Sequence, residues 1–352
     1  MPASKNSTSL LGPLEFGQRY ERNLDNLRKV RRAFETRSQN NDGMPILLHV
    51  EASAECNLPC PLCPRGSGQI KRQGLLEWKN FHKVFTALSP FLCNVIFSGW
   101  GEPLLNKQIL EMVTYVRSHN IPVAMNTNGV LIGAYAAELV EAGLNTINIS
   151  LDGAVSKATH AYRDDRLFDR VAEGVRKLRK LRDDLGALSP AIHGQFILDE
   201  ETVDEIAKLK EWAFQLGVDH AKFKRRHEIM PGQIVRNEQR TADELRKINA
   251  HKLVNSTENL GFSAKVCAHP WESIFLAASG NLSICSWDPH QKINLGPMPD
   301  DFNEIWNGKT VRTLRKWHAL ESAAVGEPCR TCNRLPGYLR FDDAASTRID
   351  SI

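Results

Sequence analysis

Between residues 46 and 251, short apolar runs alternate with longer amphipathic ones, and this rhythm constrains the fold more than any other feature of the chain. The runs at 46–53, 94–98, 122–126, 146–151, 192–198 and 220–224 have the length and composition of strands. The stretches 77–87, 106–119, 133–142, 167–184, 203–216 and 241–251 carry apolar residues at helical spacing. Strands and helices taken in turn predict an α/β fold, a parallel sheet with its helices outside. In parallel barrels the reactive groups gather at the C-terminal ends of the strands. The segments richest in chemistry fall there: Cys56 to Cys63 after the first strand, Gly99-Trp100-Gly101-Glu102-Pro103 after the second, Asn126-Thr127-Asn128-Gly129 after the third, and Ser150-Leu151-Asp152-Gly153 after the fourth.

The rhythm stops on either side. Residues 1–44 are read as an N-terminal helical extension, with a charged helix over Glu21 to Arg37 and a loop at Asn40-Asn41-Asp42-Gly43. From 262 the pattern becomes a hairpin over 273–285, turning at Ser279-Gly280-Asn281. A helix over 301–318 follows, with Phe302, Ile305, Trp306, Val311, Leu314 and Trp317 near one face. The simplest partition is a barrel at 45–261, a small α+β domain at 262–335 and a tail at 336–352. Hydrophobic residues at 42% and charged residues at 24% suit an ordinary globular protein, and the net charge of +4 is too mild and dispersed to indicate a nucleic-acid partner. The N-terminus has no apolar signal core and no run is long enough to span a membrane, so a cytoplasmic location is expected.

Eight cysteines in such a chain point to metal rather than disulfides. Cys56, Cys60 and Cys63 pack three thiols into eight residues at unequal intervals. Three thiolates do not complete a tetrahedral structural zinc site by themselves, whereas the short intervals suit three corners of an iron–sulfur cube. A zinc knuckle is the alternative. On a cube, the fourth iron would lack a protein ligand and stand open for chemistry. Pro59, Pro61 and Pro64 stiffen the loop through their fixed φ. Cys93 opens an apolar strand and reads as a buried core thiol.

The Cys-x3-Cys-x2-Cys run after a first strand resembles the signature of the radical S-adenosylmethionine (SAM) superfamily. That resemblance implies a partial (β/α)6 barrel, a SAM-binding 4Fe–4S cluster on Cys56, Cys60 and Cys63, and reductive cleavage of SAM to a radical that abstracts a substrate hydrogen. It also implies a flavodoxin- or ferredoxin-type reductant as partner. Gly99-Trp100-Gly101-Glu102-Pro103 is similar to the family's Gly-Gly-Glu-Pro motif, whose backbone and Glu hold the ammonium group of SAM. Gly101 would allow the close approach and Glu102 supply the charge. Two departures stand out: Trp100 in place of a glycine, and Leu62 where an aromatic residue often precedes the third cysteine. Ser150 and Asp152 match a strand end where a polar residue contacts SAM in relatives and the Asp–Gly shapes the loop. Arg163 matches a position where relatives often carry an Arg near SAM or substrate, with surface solvation as the alternative. Asn126 and Asn128 are candidates for lining the cavity. For Asp152-Gly153 and for both asparagines, plain turn formation is the alternative.

Cys267, Cys285, Cys329 and Cys332 form a second group. Four thiolates ligate either a second cube or a structural zinc. With Cys267-Ala268-His269-Pro270-Trp271 leading into the Gly280 hairpin, the group resembles the SPASM extension, in the shorter twitch form with one auxiliary 4Fe–4S cluster. The same layout is similar to that of aminocyclitol-oxidising members of the superfamily. It implies dehydrogenation of a small molecule, with the auxiliary cluster accepting an electron. Loss of the hydroxyl proton then calls for a nearby acceptor or cation, for which Lys222, Lys224 and Arg226 are candidates if every second residue faces the cavity. A peptide-modifying enzyme is the alternative, since such extensions are common in peptide maturases.

Overall fold

The computed structural model describes residues 13–60, 63–151, 165–198, 206–225, 267–319 and 328–329. Six strands, β1 (Leu47–Val50), β2 (Asn94–Phe97), β3 (Val123–Thr127), β4 (Thr146–Ser150), β5 (Ala191–Leu198) and β6 (His220–Arg225), lie parallel in sequential order. Between them run α2 (Trp78–Leu88), α3 (Ile109–Ser118), α4 (Ile132–Glu141), α5 (Asp165–Asp184) and α6 (Ile206–Gln215). These match the expected elements to within a few residues. The helix expected at 241–251 lies outside the described residues.

Side chains alternate across each strand, so residues paired in register share a face. Val50, Phe97, Met125, Ile147 and Ile192 are linked in register across five strands, and all are fully buried. They meet the helical layer through residues such as Phe81, Phe85, Met112, Leu139 and Val175, which belong to the same apolar core. The opposite face carries polar residues in otherwise apolar strands: Asn126, Asn148, His193 and His220 are successive register partners. That face lies opposite the one packed on the helices.

The C-terminal segment joins this sheet directly. Strand β7 (Ser273–Leu276) runs parallel to β1, pairing His49 with Phe275, and β8 (Asn281–Ser283) and β9 (Gly296–Pro297) follow antiparallel. The nine-stranded order is β6-β5-β4-β3-β2-β1-β7-β8-β9. The expected hairpin is present, and Gly280 turns it at φ +86°, a conformation only glycine adopts without strain. The helix expected over 301–318 is two helices, Asn303–Trp306 and Lys309–Ala319, because the chain turns tightly at Asn307-Gly308. A Cβ on Gly308 would sit 2.2 Å from the Glu304 carbonyl oxygen.

The N-terminal helix α1 (Pro13–Glu35) packs on this C-terminal part. Phe34 meets Trp271 edge-on, Trp306 donates its indole N–H to the Gly43 carbonyl at 2.6 Å, and Asn26 exchanges two hydrogen bonds with the Met44 backbone. The fully buried Arg315 lies over the Trp306 ring and donates to the carbonyls of Pro270 and Gln39 and to Asn307. Cys93 departs from expectation: it is half-buried, at the rim where its N–H meets the Ile46 carbonyl, because the strand core starts only at Val95.

Candidate active site

The three cysteines sit on an excursion that leaves the sheet after β1 and returns before α2. Its base is closed by a bridge between Ser53 and Leu75 and by the Leu76 N–H on the Ala52 carbonyl. Asn106 donates to the carbonyls of both Ala52 and Leu76 and clamps the two ends together. Within the loop, Cys63 donates its N–H to the Cys60 carbonyl, and Gly66 lies so close that a Cβ would stand 2.1 Å from that same oxygen. All three thiols are half-buried, and no described cysteine forms a disulfide.

Burial raises the pKa of Cys56 most, and the nearby Glu102 and Cys63 add to the rise. A thiol held protonated by burial is what a metal cluster relieves, since ligation releases its proton and pairs the thiolate with the metal's positive charge. Asn128 also aims its amide N–H at Cys56 Sγ, at 3.7 Å. Among the described residues no three His, Cys, Asp or Glu groups converge on one point; a cube, unlike a single ion, takes each thiolate at its own corner. The donor set therefore fits a cluster on Cys56, Cys60 and Cys63.

The segment after β2 lies against this loop. Gly101 is pressed on its backbone, with a Cβ position 2.1 Å from the Ser53 carbonyl and 2.5 Å from that of Glu55. Gly99 is equally tight against the Glu51 side chain. Glu102 is buried and caps the short turn Pro103–Leu105, its Oε1 accepting the Leu104 N–H at 3.1 Å and the Thr127 hydroxyl at 2.7 Å. Oε2 accepts the Asn128 N–H at 2.8 Å. Desolvation raises the Glu102 pKa to about 7, against the lowering effect of these hydrogen bonds. Three of roughly four acceptor positions on the carboxylate are thus occupied, which leaves room for one more donor. The Trp100 indole N–H is buried without an acceptor among the described residues, a second polar position open to a ligand on the same segment.

Glu51, one residue beyond β1, joins the neighbouring segments. Its carboxylate is fully buried and forms a two-pronged pair with Arg72 at 2.5 and 3.0 Å. It also accepts the N–H groups of Trp100 at 3.1 Å and Ala278 at 3.3 Å. The cysteine loop, the Gly99–Pro103 segment and the β7–β8 hairpin therefore meet on one side chain. The sequence reading did not single out Glu51 or Arg72; a lone acid at a strand end carries no local signal.

On the polar face a chain of donors runs across the sheet. Lys222 Nζ and His193 Nδ1 both lie on Asn148 Oδ1, at 3.3 and 3.2 Å. Asn148 donates to Asn126 at 2.9 Å, and Asn126 donates to Ser98 at 2.8 Å. Burial first, then the charges of Lys222 and His220, lower the His193 pKa to about 4. The ring is neutral at pH 7, and with Nδ1–H given to Asn148 its Nε2 is an acceptor, a tautomer assigned from this network. Burial likewise lowers the Lys222 pKa. Asn126 and Lys222 were expected on this face; Ser98, Asn148 and His193 were not, although the alternation in Thr146-Ile147-Asn148-Ile149-Ser150 contains the signal.

Ser150 ends β4 in register with Gln195. Asp152, Arg163, Arg226 and Cys332 lie outside the described residues, as does the side chain of Lys224. Cys267, Cys285 and Cys329 are half-buried, and Cys285 Sγ accepts the Trp287 N–H at 3.4 Å. Such N–H to sulfur contacts are usual around cluster thiolates, so the described members of the second group fit an iron–sulfur site as well.

Comparison with known proteins agrees with this arrangement. Residues 50–213 match the radical SAM superfamily and residues 267–333 match the SPASM iron–sulfur cluster-binding domain, together about two thirds of the chain. A tungsten-containing aldehyde ferredoxin oxidoreductase cofactor-modifying protein of Pyrococcus furiosus is 26% identical over 175 residues, 49% of either chain. The chain thus spans about half the length of this curated relative. BtrN, solved with AdoMet and 2-DOIA, superposes with a TM-score of 0.51 at 19% identity over 84% of this chain and 95% of that one. SuiB of Streptococcus suis, bound to S-adenosylmethionine, superposes with a TM-score of 0.61 at 13% identity, over 88% of this chain and 75% of its own. These likenesses share the fold. The first matched domain implies a 4Fe–4S cluster and SAM, the second auxiliary iron–sulfur clusters. No described helix is long and apolar enough to cross a membrane. The chain belongs to the radical SAM superfamily and carries a C-terminal SPASM iron–sulfur domain.

Proposed function

We propose that this enzyme oxidises a hydroxyl-bearing small molecule, such as an aminocyclitol or sugar, by two electrons. The observation that carries the reading is the run of amide, imidazole, hydroxyl and ammonium groups from Ser98 through Asn126, Asn148 and His193 to Lys222. When bound, the cluster on Cys56, Cys60 and Cys63 supplies the electron that cleaves SAM to the hydrogen-abstracting radical, and a cluster on Cys267, Cys285, Cys329 and Cys332 supplies an acceptor for the substrate's second electron. In this proposal Glu102 binds the SAM ammonium group, Gly99, Gly101 and Pro103 shape the backbone beside it, and Ser150, Asp152 and Arg163 contribute further contacts to SAM.

The polar row performs the remaining work. Its donors are chained in one direction, so Ser98 at one end and the free N–H bonds of Lys222 at the other address substrate hydroxyls. The neutral His193 Nε2 accepts rather than donates. Lys222, as an ammonium, is placed to stabilise the developing alkoxide as the carbonyl forms, and the lone pair of His193 Nε2 is the acceptor available for the hydroxyl proton. A flavodoxin- or ferredoxin-type protein would supply the reducing electron, in a cytoplasmic setting.

The test is a polyol or aminopolyol deuterated at the carbinol carbon, incubated with reconstituted enzyme, SAM and reductant. Deuterium is expected in 5′-deoxyadenosine, with a product lighter than substrate by the two hydrogens lost. Label transfer with the carbinol deuterium merely replaced by hydrogen in the product would replace oxidation by epimerisation. A mass change on a peptide instead, the class of ligand with which SuiB was also solved, would move the enzyme to the peptide maturases.

A further inference from the structure

Trp100 stands where the motif it resembles has glycine, in a segment already so tight that Gly99 and Gly101 tolerate no Cβ. A bulky indole there needs a packing reason, and the structure supplies one. The Trp100 ring, only 9% exposed, meets the Trp287 ring edge-on at 6.1 Å between centroids and 83° between planes. Trp287 in turn sits two residues from Cys285 and donates its backbone N–H to that thiol's sulfur at 3.4 Å. One residue therefore touches the SAM-binding segment with its ring and the second cysteine group with its backbone. The junction is tied a second time through Glu51, which accepts N–H groups from both Trp100 and Ala278, on the hairpin leading to Cys285.

We propose that the Trp100–Trp287 contact couples the two sites, so that SAM binding at residues 99–103 and metal occupancy at Cys285 strengthen one another. The inference rests on the assignment of SAM to the first segment and of a cluster to the second cysteine group. An ordered Cys285 loop fixes Trp287, Trp287 fixes Trp100, and Trp100 holds the backbone at which SAM docks. By linkage the effect is reciprocal: whatever factor the C-terminal metal adds to SAM affinity, SAM adds to retention of that metal. Both tryptophans are positioning residues, and an edge-to-face pair of this kind sets a coupling of about 2- to 10-fold.

A double-mutant cycle on reconstituted protein tests this, with the SAM dissociation constant as readout. Trp287→Leu is expected to weaken SAM binding about 2- to 10-fold when Trp100 is present, and to change it little in a Trp100→Gly background. Cys285→Ser, which removes a ligand of the second group, should follow the same pattern. Trp287→Phe keeps a ring at the contact and should retain most of the affinity. In a parallel titration with an iron chelator, SAM should protect the C-terminal iron in wild type and lose that protection in Trp287→Leu. Equal losses in both Trp100 backgrounds, or none in either, would overturn the coupling. If the wild type bound no SAM or held a single cluster, the underlying assignment would fall instead.

Discussion

Arg72→Ala is expected to destabilise the reconstituted enzyme by about 3–5 kcal/mol, the usual cost of stranding one half of a buried ion pair. Arg72 is 23% exposed at its side chain, whereas its partner Glu51 is wholly inaccessible. Removing the arginine leaves a buried carboxylate with only the Trp100 and Ala278 N–H groups to offset its lost solvation. Arg72→Lys should recover only part of the loss, since an ammonium cannot reproduce the two-pronged contact at 2.5 and 3.0 Å. The double change Glu51→Gln with Arg72→Met removes both charges and should be milder than Arg72→Ala alone. Anaerobic denaturant titration reads the order of the three. Because Glu51 also bonds the segments carrying Trp100 and Ala278, Arg72→Ala should lower iron retention as well. A loss below about 1 kcal/mol would mean the pair behaves like a surface ion pair.

Glu102→Gln is expected to weaken SAM binding by about 30-fold or more, as loss of one partner of a buried charge-assisted contact does. The carboxylate accepts three donors from Leu104, Thr127 and Asn128. An amide can keep the two on Oε1 but turns an N–H toward the N–H of Asn128. Asn128 also contacts Cys56, so the disturbance reaches the cysteine loop. The pH dependence follows from the raised pKa. In the folded protein Glu102 holds its proton up to about pH 7, against 4.5 for an ordinary glutamic acid, and burial is the cause. Its contribution to stability is therefore full below about pH 4.5 and is lost as the pH rises to about 7. SAM binding has the opposite sign, because an ammonium group selects the ionised carboxylate. Affinity should rise about tenfold from pH 6 to pH 8 on this limb, and the limb should vanish in Glu102→Gln. An unchanged limb in the variant would assign the titration to another group.

The parts legible in the sequence were those written locally. Strand and helix periods placed β1 to β6 and α2 to α6 because each element buries one face, and a buried face leaves a repeat in the chain. The cysteine loop and the Gly101-Glu102-Pro103 segment were legible because their chemistry needs particular residues at short spacing. What stayed hidden depends on partners far apart in sequence. Glu51 and Arg72 are 21 residues apart, and Ala278 lies 227 residues from Glu51. The pairing of β7 with β1 is equally remote, so the C-terminal strands looked like a separate unit until their register was seen. Asn148 and His193 are hidden for a different reason: a polar residue on an alternating strand looks solvent-facing until its cross-strand partners are known. The break at Gly308 was missed because the apolar spacing continues across it.

Iron and sulfide content after anaerobic reconstitution, in wild type and in a Cys56/Cys60/Cys63-to-Ala variant, tests the account most directly. Two cubes predict about 8 irons per chain falling to about 4 in the variant, with SAM cleavage lost. About 4 irons in wild type and none in the variant would leave Cys267, Cys285, Cys329 and Cys332 without a cluster, and the two-electron oxidation with it.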